Sequence, residues 1–148
     1  MNTHQKKIQD GQLLQRFSEL GTKYQLAFSC QLDLPGILMG IDGIRRKMMV
    51  LNNSENLLEW KLIDLGTIRS CTLLKTYDPI MAGELDSYSP DRYIHDISLR
   101  IITENNEEIL LPFYIRYLHN LKDLPRITKT AQDWHHMILK LLPQPIRA

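Results

Sequence analysis

The sequence predicts an α+β domain that is mainly β, with seven antiparallel strands, a C-terminal helix and an extra N-terminal helix. Residues 23–34 alternate apolar and polar side chains, as a half-buried strand does. Residues 57–77 give two more apolar runs, separated by Asp64 and Gly66, where we expect a turn. Between residues 127 and 142 the apolar period changes to that of a helix, which sets the order of strands before helix.

Size and composition indicate one globular domain. The chain has 148 residues, of which 43% are hydrophobic and 24% are charged, and its formal net charge is +1. A protein with this charge balance has no general attraction for nucleic acid or for an anionic membrane. We therefore predict no nucleic-acid partner, and any electrostatic site has to be local.

The two cysteines, Cys30 and Cys71, both lie at predicted inward positions, where a thiol behaves as a small apolar group. We interpret them as buried free thiols, with a disulfide as the alternative. The polar start of the sequence does not resemble a secretory signal, and no apolar run approaches the roughly 20 residues of a membrane span. These features favour a cytoplasmic location without a transmembrane segment.

The N-terminal helix is predicted over residues 4–20, and Gly21 is placed as its C-cap, so that residues 1–21 form a separate amphipathic element. Its narrow apolar stripe includes Phe17 and Leu20. We expect this stripe to pack on the domain or on a second copy of the chain. The second option makes a homodimer through this helix a candidate assembly.

The first strands are predicted from turn residues. Pro35 and Gly36 suit the central positions of a type II turn, and Asp42 with Gly43 suits a two-residue hairpin of the primed type into a strand over residues 44–51. The polar run 52–56 then returns the chain to the strand that carries Trp60. We expect Trp60 to lie in the interior with Phe28, Leu73 and Phe113.

The C-terminal half begins with an aperiodic loop over residues 78–91, a length that is often functional. A strand over 93–104 follows, then a turn at Asn105 and Asn106. The last strand starts near Ile109 and contains Pro112, which implies a sheet edge or a bulge.

The final helix is predicted from about Pro125 to Leu142, because proline suits a first helical turn and Pro143 stops the helix. Trp134 and Ile138 are expected to face the sheet.

This order of elements resembles the pleckstrin-homology superfold over residues 22–143. The segments DGIRRKMMVL, WKLIDLGTIRSC and AQDWHHMIL are similar to those of small bacterial proteins with such a domain. The resemblance implies a bent sandwich or partly open barrel that the C-terminal helix caps at one end. Members of the family often bind phosphoinositides through basic residues around the loop between the first two strands, but residues 34–37 here contain none. The resemblance therefore implies a scaffold for protein or peptide contacts.

Arg45, Arg46 and Lys47 form the basic cluster of the sequence, beside the predicted hairpin turn. They suit an anion or an acidic segment, with solvated charges at a strand end as the alternative. Adjacent His135 and His136 point about 100° apart on a helix and do not chelate one ion together, so we predict no metal site and no cofactor.

The sequence shows no nucleophile with its base, and the acidic residues of the 78–91 loop lack the fixed spacing that catalytic carboxylates need. We therefore predict a non-enzymatic interaction module that binds a protein or peptide. The alternative is a small carrier that encloses an apolar ligand or lipid in its barrel, against which the predicted large interior side chains argue.

The preferred partner site is the edge strand marked by Pro112 together with the neighbouring loop. There, Tyr88 and Tyr114 are expected to contact an extended peptide, and the basic cluster at Arg45 to Lys47 steers an acidic segment toward it. The apolar stripe of the N-terminal helix is the competing surface.

Overall fold

The computed structural model describes residues 10–34, 36–54, 57–79, 81, 83, 90–116 and 119–143. It divides into two units, residues 1–66 and residues 67–148. Over the described ranges, seven antiparallel strands form two unclosed sheets, one of four strands and one of three. One helix precedes the strands and another follows them, which confirms the predicted mainly-β α+β class.

The first unit contains one helix and a four-stranded meander in the order β1-β2-β3-β4. Its elements are α1 (Asp10–Lys23), β1 (Cys30–Leu34), β2 (Ile37–Asp42), β3 (Lys47–Ser54) and β4 (Leu57–Asp64). Leu34 pairs with Ile37, and Gly36 has φ 80°, as the third position of a type II turn requires. The predicted turn is confirmed at Gly36, while Pro35 lies outside the described residues.

Helix α1 ends two residues beyond the predicted C-cap at Gly21. The N–H of Leu26 donates to the Gly21 carbonyl at 2.8 Å, and the N–H of Gln25 donates to the Thr22 carbonyl at 3.1 Å. This pair of bonds is a Schellman motif, whose left-handed position is taken by Gln25 with φ 57°. The cap prediction was wrong because the left-handed position at the end of the helix, which is usually occupied by glycine, is occupied here by Gln25. Residues 4–9 of the predicted helix lie outside the described ranges.

The segment 24–29 is not part of a strand, although its side chains alternate as predicted; strand β1 begins only at Cys30. The Schellman turn reverses the chain, so that Tyr24, Leu26 and Phe28 lie half-buried against α1. Apolar and polar side chains alternate in this segment because every second side chain packs on the helix, and not because the segment pairs in a sheet.

The apolar stripe of α1 is buried within its own unit. Leu13, Phe17 and Leu20 pack in one cluster with three side chains of β2 and β3, namely Leu38, Met49 and Leu51. The expectation that this stripe packs on the domain is confirmed, because the first sheet covers Phe17 and Leu20. A homodimer through the helix stays a prediction.

Gly40 of β2 is a point on the sheet that the aromatic rings of this cluster approach closely. The rings of Phe17 and Phe28 stack with centroids 4.7 Å apart. A Cβ at Gly40 would lie 2.7 Å from Phe28 Cδ1 and 2.8 Å from Phe17 Cζ. The absence of a side chain at this position lets the stacked rings approach the strand.

Trp60 does not lie in the interior. It is on β4, an edge strand of the first sheet, and remains 37% exposed. Its ring packs on Tyr24 with centroids 5.4 Å apart, at the end of α1. The prediction was wrong because alternation assigns a face of the strand but not the distance of the strand from the sheet edge. Phe28 and Leu73 are half-buried, whereas Phe113 is fully buried as expected.

The second unit contains a three-stranded sheet and a helix. Its elements are β5 (Ile68–Tyr77), β6 (Ile94–Thr103), β7 (Glu108–Ile115) and α2 (Leu124–Leu141). Helix α2 contacts all three strands, and Trp134 and Ile138 are buried, as predicted. The predicted start near Pro125 and stop before Pro143 are confirmed to within a residue.

Strand β7 lies at an edge of its sheet, and Pro112 sits where the pairing with β6 shifts its register between Ile97 and Ser98. Both features agree with the prediction that proline marks an edge or a bulge. The turn before β7 is also confirmed, since Asn106 adopts φ 64° and its N–H donates to the Thr103 carbonyl at 2.9 Å.

Candidate functional site

The turn between β2 and β3 is held in place by several hydrogen bonds. Asp42 pairs with Lys47, so four residues, Gly43 to Arg46, form the loop. The prediction of a two-residue hairpin at Asp42 and Gly43 was wrong because Asp42 acts as a cap for the loop. Arg45 and Arg46 are in this loop, and Lys47 is the first residue of β3.

Asp42 is completely buried, and its carboxylate accepts four hydrogen bonds. Oδ1 accepts from the N–H of Ile44 at 3.0 Å and from the N–H of Arg45 at 2.9 Å. Oδ2 accepts from the N–H of Ala27 at 2.9 Å and from Arg45 Nη1 at 3.1 Å. The backbone donors of Arg45 and Ala27 outweigh burial and, with the Arg45 guanidinium, lower the pKa of Asp42 to about 2.

Two further contacts hold the loop from its sides. Ser29 Oγ accepts from the N–H of Gly43 at 3.3 Å and donates to the Ile41 carbonyl at 3.0 Å. On the other side, the N–H of Leu65 donates to the Arg46 carbonyl at 2.9 Å. The loop backbone is therefore fixed at both ends and in its middle, and little conformational entropy is left to lose on binding.

Ile44 stands at the tip of this fixed loop and is 90% exposed. A turn residue is normally polar or glycine, and a β-branched side chain has no local reason to be here. Single exposed apolar residues are common on protein surfaces. Ile44 differs because the surrounding hydrogen bonds fix the backbone of the loop that presents it.

The three basic residues of the cluster are not equivalent. Arg45 is paired with Asp42, and Lys47 Nζ lies 3.4 Å from Asp64 Oδ2. Within the described part of the chain, the exposed side chain of Arg46 has no hydrogen bond or ion pair. Arg46 also adopts φ 55°, a left-handed conformation that costs a non-glycine residue roughly 1 to 2 kcal/mol. An arginine at a position that favours glycine is a reason to ask what its side chain does.

The described residues among those predicted for the edge-strand site differ in how far they are exposed to solvent. Pro112 is half-buried on β7, and Tyr114 is only 1% exposed, with its ring stacked on His119. Tyr114 therefore offers no free surface to a peptide. Tyr88 lies outside the described residues.

The outer side of β7 is partly closed by His119. The N–H of Arg116 donates to the His95 carbonyl of β6, so the groups of Ile115 point away from that strand. There, the N–H of Ile115 donates to His119 Nδ1 at 3.0 Å, and the N–H of His119 donates to the Ile115 carbonyl at 3.0 Å. His119 thus occupies the C-terminal end of the edge to which an added strand would bind.

The long loop after β5 is closed at its base. The N–H of Asp78 donates to the Tyr93 carbonyl at 2.7 Å, and the Asp78 carboxylate is paired with Arg116. Glu84 and Asp86 lie outside the described residues. Asp78, the described acidic residue at this base, is engaged in a structural ion pair.

The other reactive side chains have structural contacts. His135 Nε2 lies 2.9 Å from the Cys71 carbonyl, which links α2 to β5. Cys30 and Cys71 are free thiols, as predicted, but only Cys71 is buried, whereas Cys30 is half-buried. Burial raises the pKa of Cys71 to about 11. The Cys71 thiol is therefore protonated at neutral pH. In the described ranges, no group of three or more histidine, cysteine, aspartate or glutamate side chains is arranged to hold a metal ion.

Comparisons with protein-family models, with curated proteins and with solved structures find no match. Neither of the described helices has the length and apolar character needed to span a bilayer.

Two residues of the turn were not identified from the sequence as functional candidates. Asp42 was interpreted as an ordinary turn residue, and Ile44 as the start of a strand. The available signal was an apolar residue between an Asp-Gly pair and two arginines, in the motif DGIRR. An apolar side chain within an otherwise polar turn is unusual for a turn residue, and this is what could have directed attention to Ile44.

Proposed function

We propose that this protein is a non-enzymatic interaction module of pleckstrin-homology type, which binds a protein partner through the turn between β2 and β3. The order of two antiparallel sheets followed by a C-terminal helix supports the assignment to this superfold. The two free thiols support a reducing, cytoplasmic location.

The observation that carries the proposal is the combination of a fixed loop and an exposed apolar tip. Burying an isoleucine side chain contributes about 1.5 to 3 kcal/mol, and a rigid loop keeps most of this because little ordering is needed. The hydrogen bonds of Asp42 and Ser29 supply that rigidity before any partner arrives.

The β2–β3 turn suits a partner better than the edge of β7 does. Leu110 on β7 is 52% exposed and is an available contact. However, the same strand contains a proline without an N–H, and its last outward-facing groups are bound by His119. Both features limit the main-chain bonds that an added strand can make, whereas no such limit affects Ile44.

The experiment that tests this function is site-specific photo-crosslinking in cells that express the protein. A photoreactive amino acid at position 44 is expected to give discrete crosslinked protein bands after irradiation. The matched control carries the same amino acid at position 132, an exposed site on α2.

Discrete bands at position 44 and none at position 132 would support the proposal. Equal patterns at the two positions, or no protein adducts at position 44, would contradict it. Intact mass spectrometry under native conditions tests the alternative of a ligand carrier, since a co-purified lipid would argue for that function instead.

A further inference from the structure

We infer that the partner is an acidic protein segment, in which a carboxylate next to an apolar side chain contacts Arg46 and Ile44 of the turn. This inference rests on the proposed function and names the chemistry that the site recognises. Its basis is which of the cations Arg45, Arg46 and Lys47 already has a carboxylate partner, together with the exposed side chain of Ile44 beside them.

Arg46 is the cation of the turn that remains available. The charge of Arg45 is shared with buried Asp42, and that of Lys47 with Asp64. A guanidinium binds a carboxylate through two parallel hydrogen bonds, which a single unpaired arginine can offer in full. One carboxylate of the partner is therefore enough to neutralise the Arg46 guanidinium.

The backbone of Arg46 adds an independent argument. At φ 55° glycine or asparagine would be easier to accommodate, so the arginine side chain is not explained by the shape of the turn. Two residues away, Ile44 projects at 90% exposure. A partner that fits both groups needs an acidic and an apolar element side by side.

An anionic membrane surface fits these observations less well. Membrane attraction of this kind usually takes clusters of roughly four to eight basic residues. The turn and the first residue of β3 together supply three cations, two of which are already paired with carboxylates. A single apolar tip adds too little to hold the protein on a bilayer.

The test is selection of a phage-displayed library of random linear peptides on the full-length protein. We expect enriched peptides to combine aspartate or glutamate with an adjacent leucine, isoleucine or aromatic residue. Their affinity should fall about tenfold or more in Arg46→Gly, Arg46→Asn and Ile44→Ser, because each variant removes one of the two contacts. Arg69→Gln, which neutralises an exposed arginine of β5, should leave the affinity unchanged.

Arg46→Gly separates binding from folding. Glycine relieves the left-handed strain, so this variant should unfold at a higher denaturant concentration than the wild type while it binds more weakly. Arg46→Lys keeps the charge and loses the paired hydrogen bonds, so its affinity should be intermediate.

Selected peptides without acidic residues, or equal binding by wild type and Arg46→Gly, would overturn the inference. A lipid surface is tested by sedimentation with phosphatidylcholine vesicles that contain phosphatidylserine. If the wild type sediments with these vesicles but not with pure phosphatidylcholine vesicles, and Arg46→Gly does not sediment, the inference of an acidic protein segment is overturned in favour of a lipid surface. Crosslinking at position 44 detects a protein partner of any chemistry. A positive crosslink with a failed selection would therefore reject this inference and leave the proposed function standing.

Discussion

At the scale of single residues, Asp42 explains why the turn has a fixed shape. A buried carboxylate is stable only if its oxygens are satisfied, and four donors from three residues satisfy those of Asp42. The same bonds tie the loop to Ala27, which lies 15 residues earlier in the chain. The acidic group therefore serves structure, and the proposed contacts with a partner fall to its exposed neighbours.

Replacing Asp42 by asparagine is expected to lower the free energy of unfolding by about 1 to 3 kcal/mol, since one accepting oxygen becomes an NH2 group that faces N–H donors. The loss should depend on pH. The folded-state pKa of about 2 is below the ordinary value of 3.8, so the wild-type advantage is complete above the ordinary value and disappears as pH falls through about 2. Urea unfolding at neutral and at acidic pH measures both effects.

The control for this prediction is Asp133→Asn, which changes an exposed carboxylate of α2 that is paired with Lys129. We expect a change within about 0.5 kcal/mol. A difference between wild type and Asp42→Asn that stays constant from neutral pH to about pH 2 would contradict the assigned role of the carboxylate.

At the scale of elements, α1 is joined to its sheet through a close approach at Gly40. Gly40→Ala should lower the free energy of unfolding by about 1 to 3 kcal/mol, because the added methyl group overlaps two stacked rings. Gly11→Ala, at the start of the same helix with open space around it, should leave stability unchanged or raise it by up to about 1 kcal/mol. Chemical denaturation of both variants is the measurement, and equal stabilities would contradict this packing.

The elements also show what the sequence can predict. The end helix was located to within a residue because its apolar period and its prolines agree, and Asn106 marked its turn correctly. The end of α1 was missed because Gln25 takes a left-handed conformation without the glycine that normally signals it. Local chemistry therefore predicted the elements wherever the residue type and the backbone conformation matched.

At the scale of the whole molecule, the number of strands and the class of fold were predicted, but their division into sheets of four and three was not. Alternation identifies strands, whereas the division depends on the break after β4, where Leu65–Thr67 form a short 3-10 turn. The candidate site shows the same limit. The basic cluster was found from its position beside the predicted turn, but which of its residues stays unpaired depends on Asp42 and Asp64 in three dimensions.

In the proposed function, the partner binds the tip of the β2–β3 turn and not the edge of β7. The direct test compares Ile44→Ser with Leu110→Ser, since each variant removes one exposed apolar side chain. Partner retention is measured by quantitative mass spectrometry of pull-downs from the source cell, with stability checked in parallel. We predict that Ile44→Ser loses a set of proteins that Leu110→Ser and the wild type both retain. Loss with Leu110→Ser and full retention with Ile44→Ser would contradict the claim and assign binding to the β7 edge.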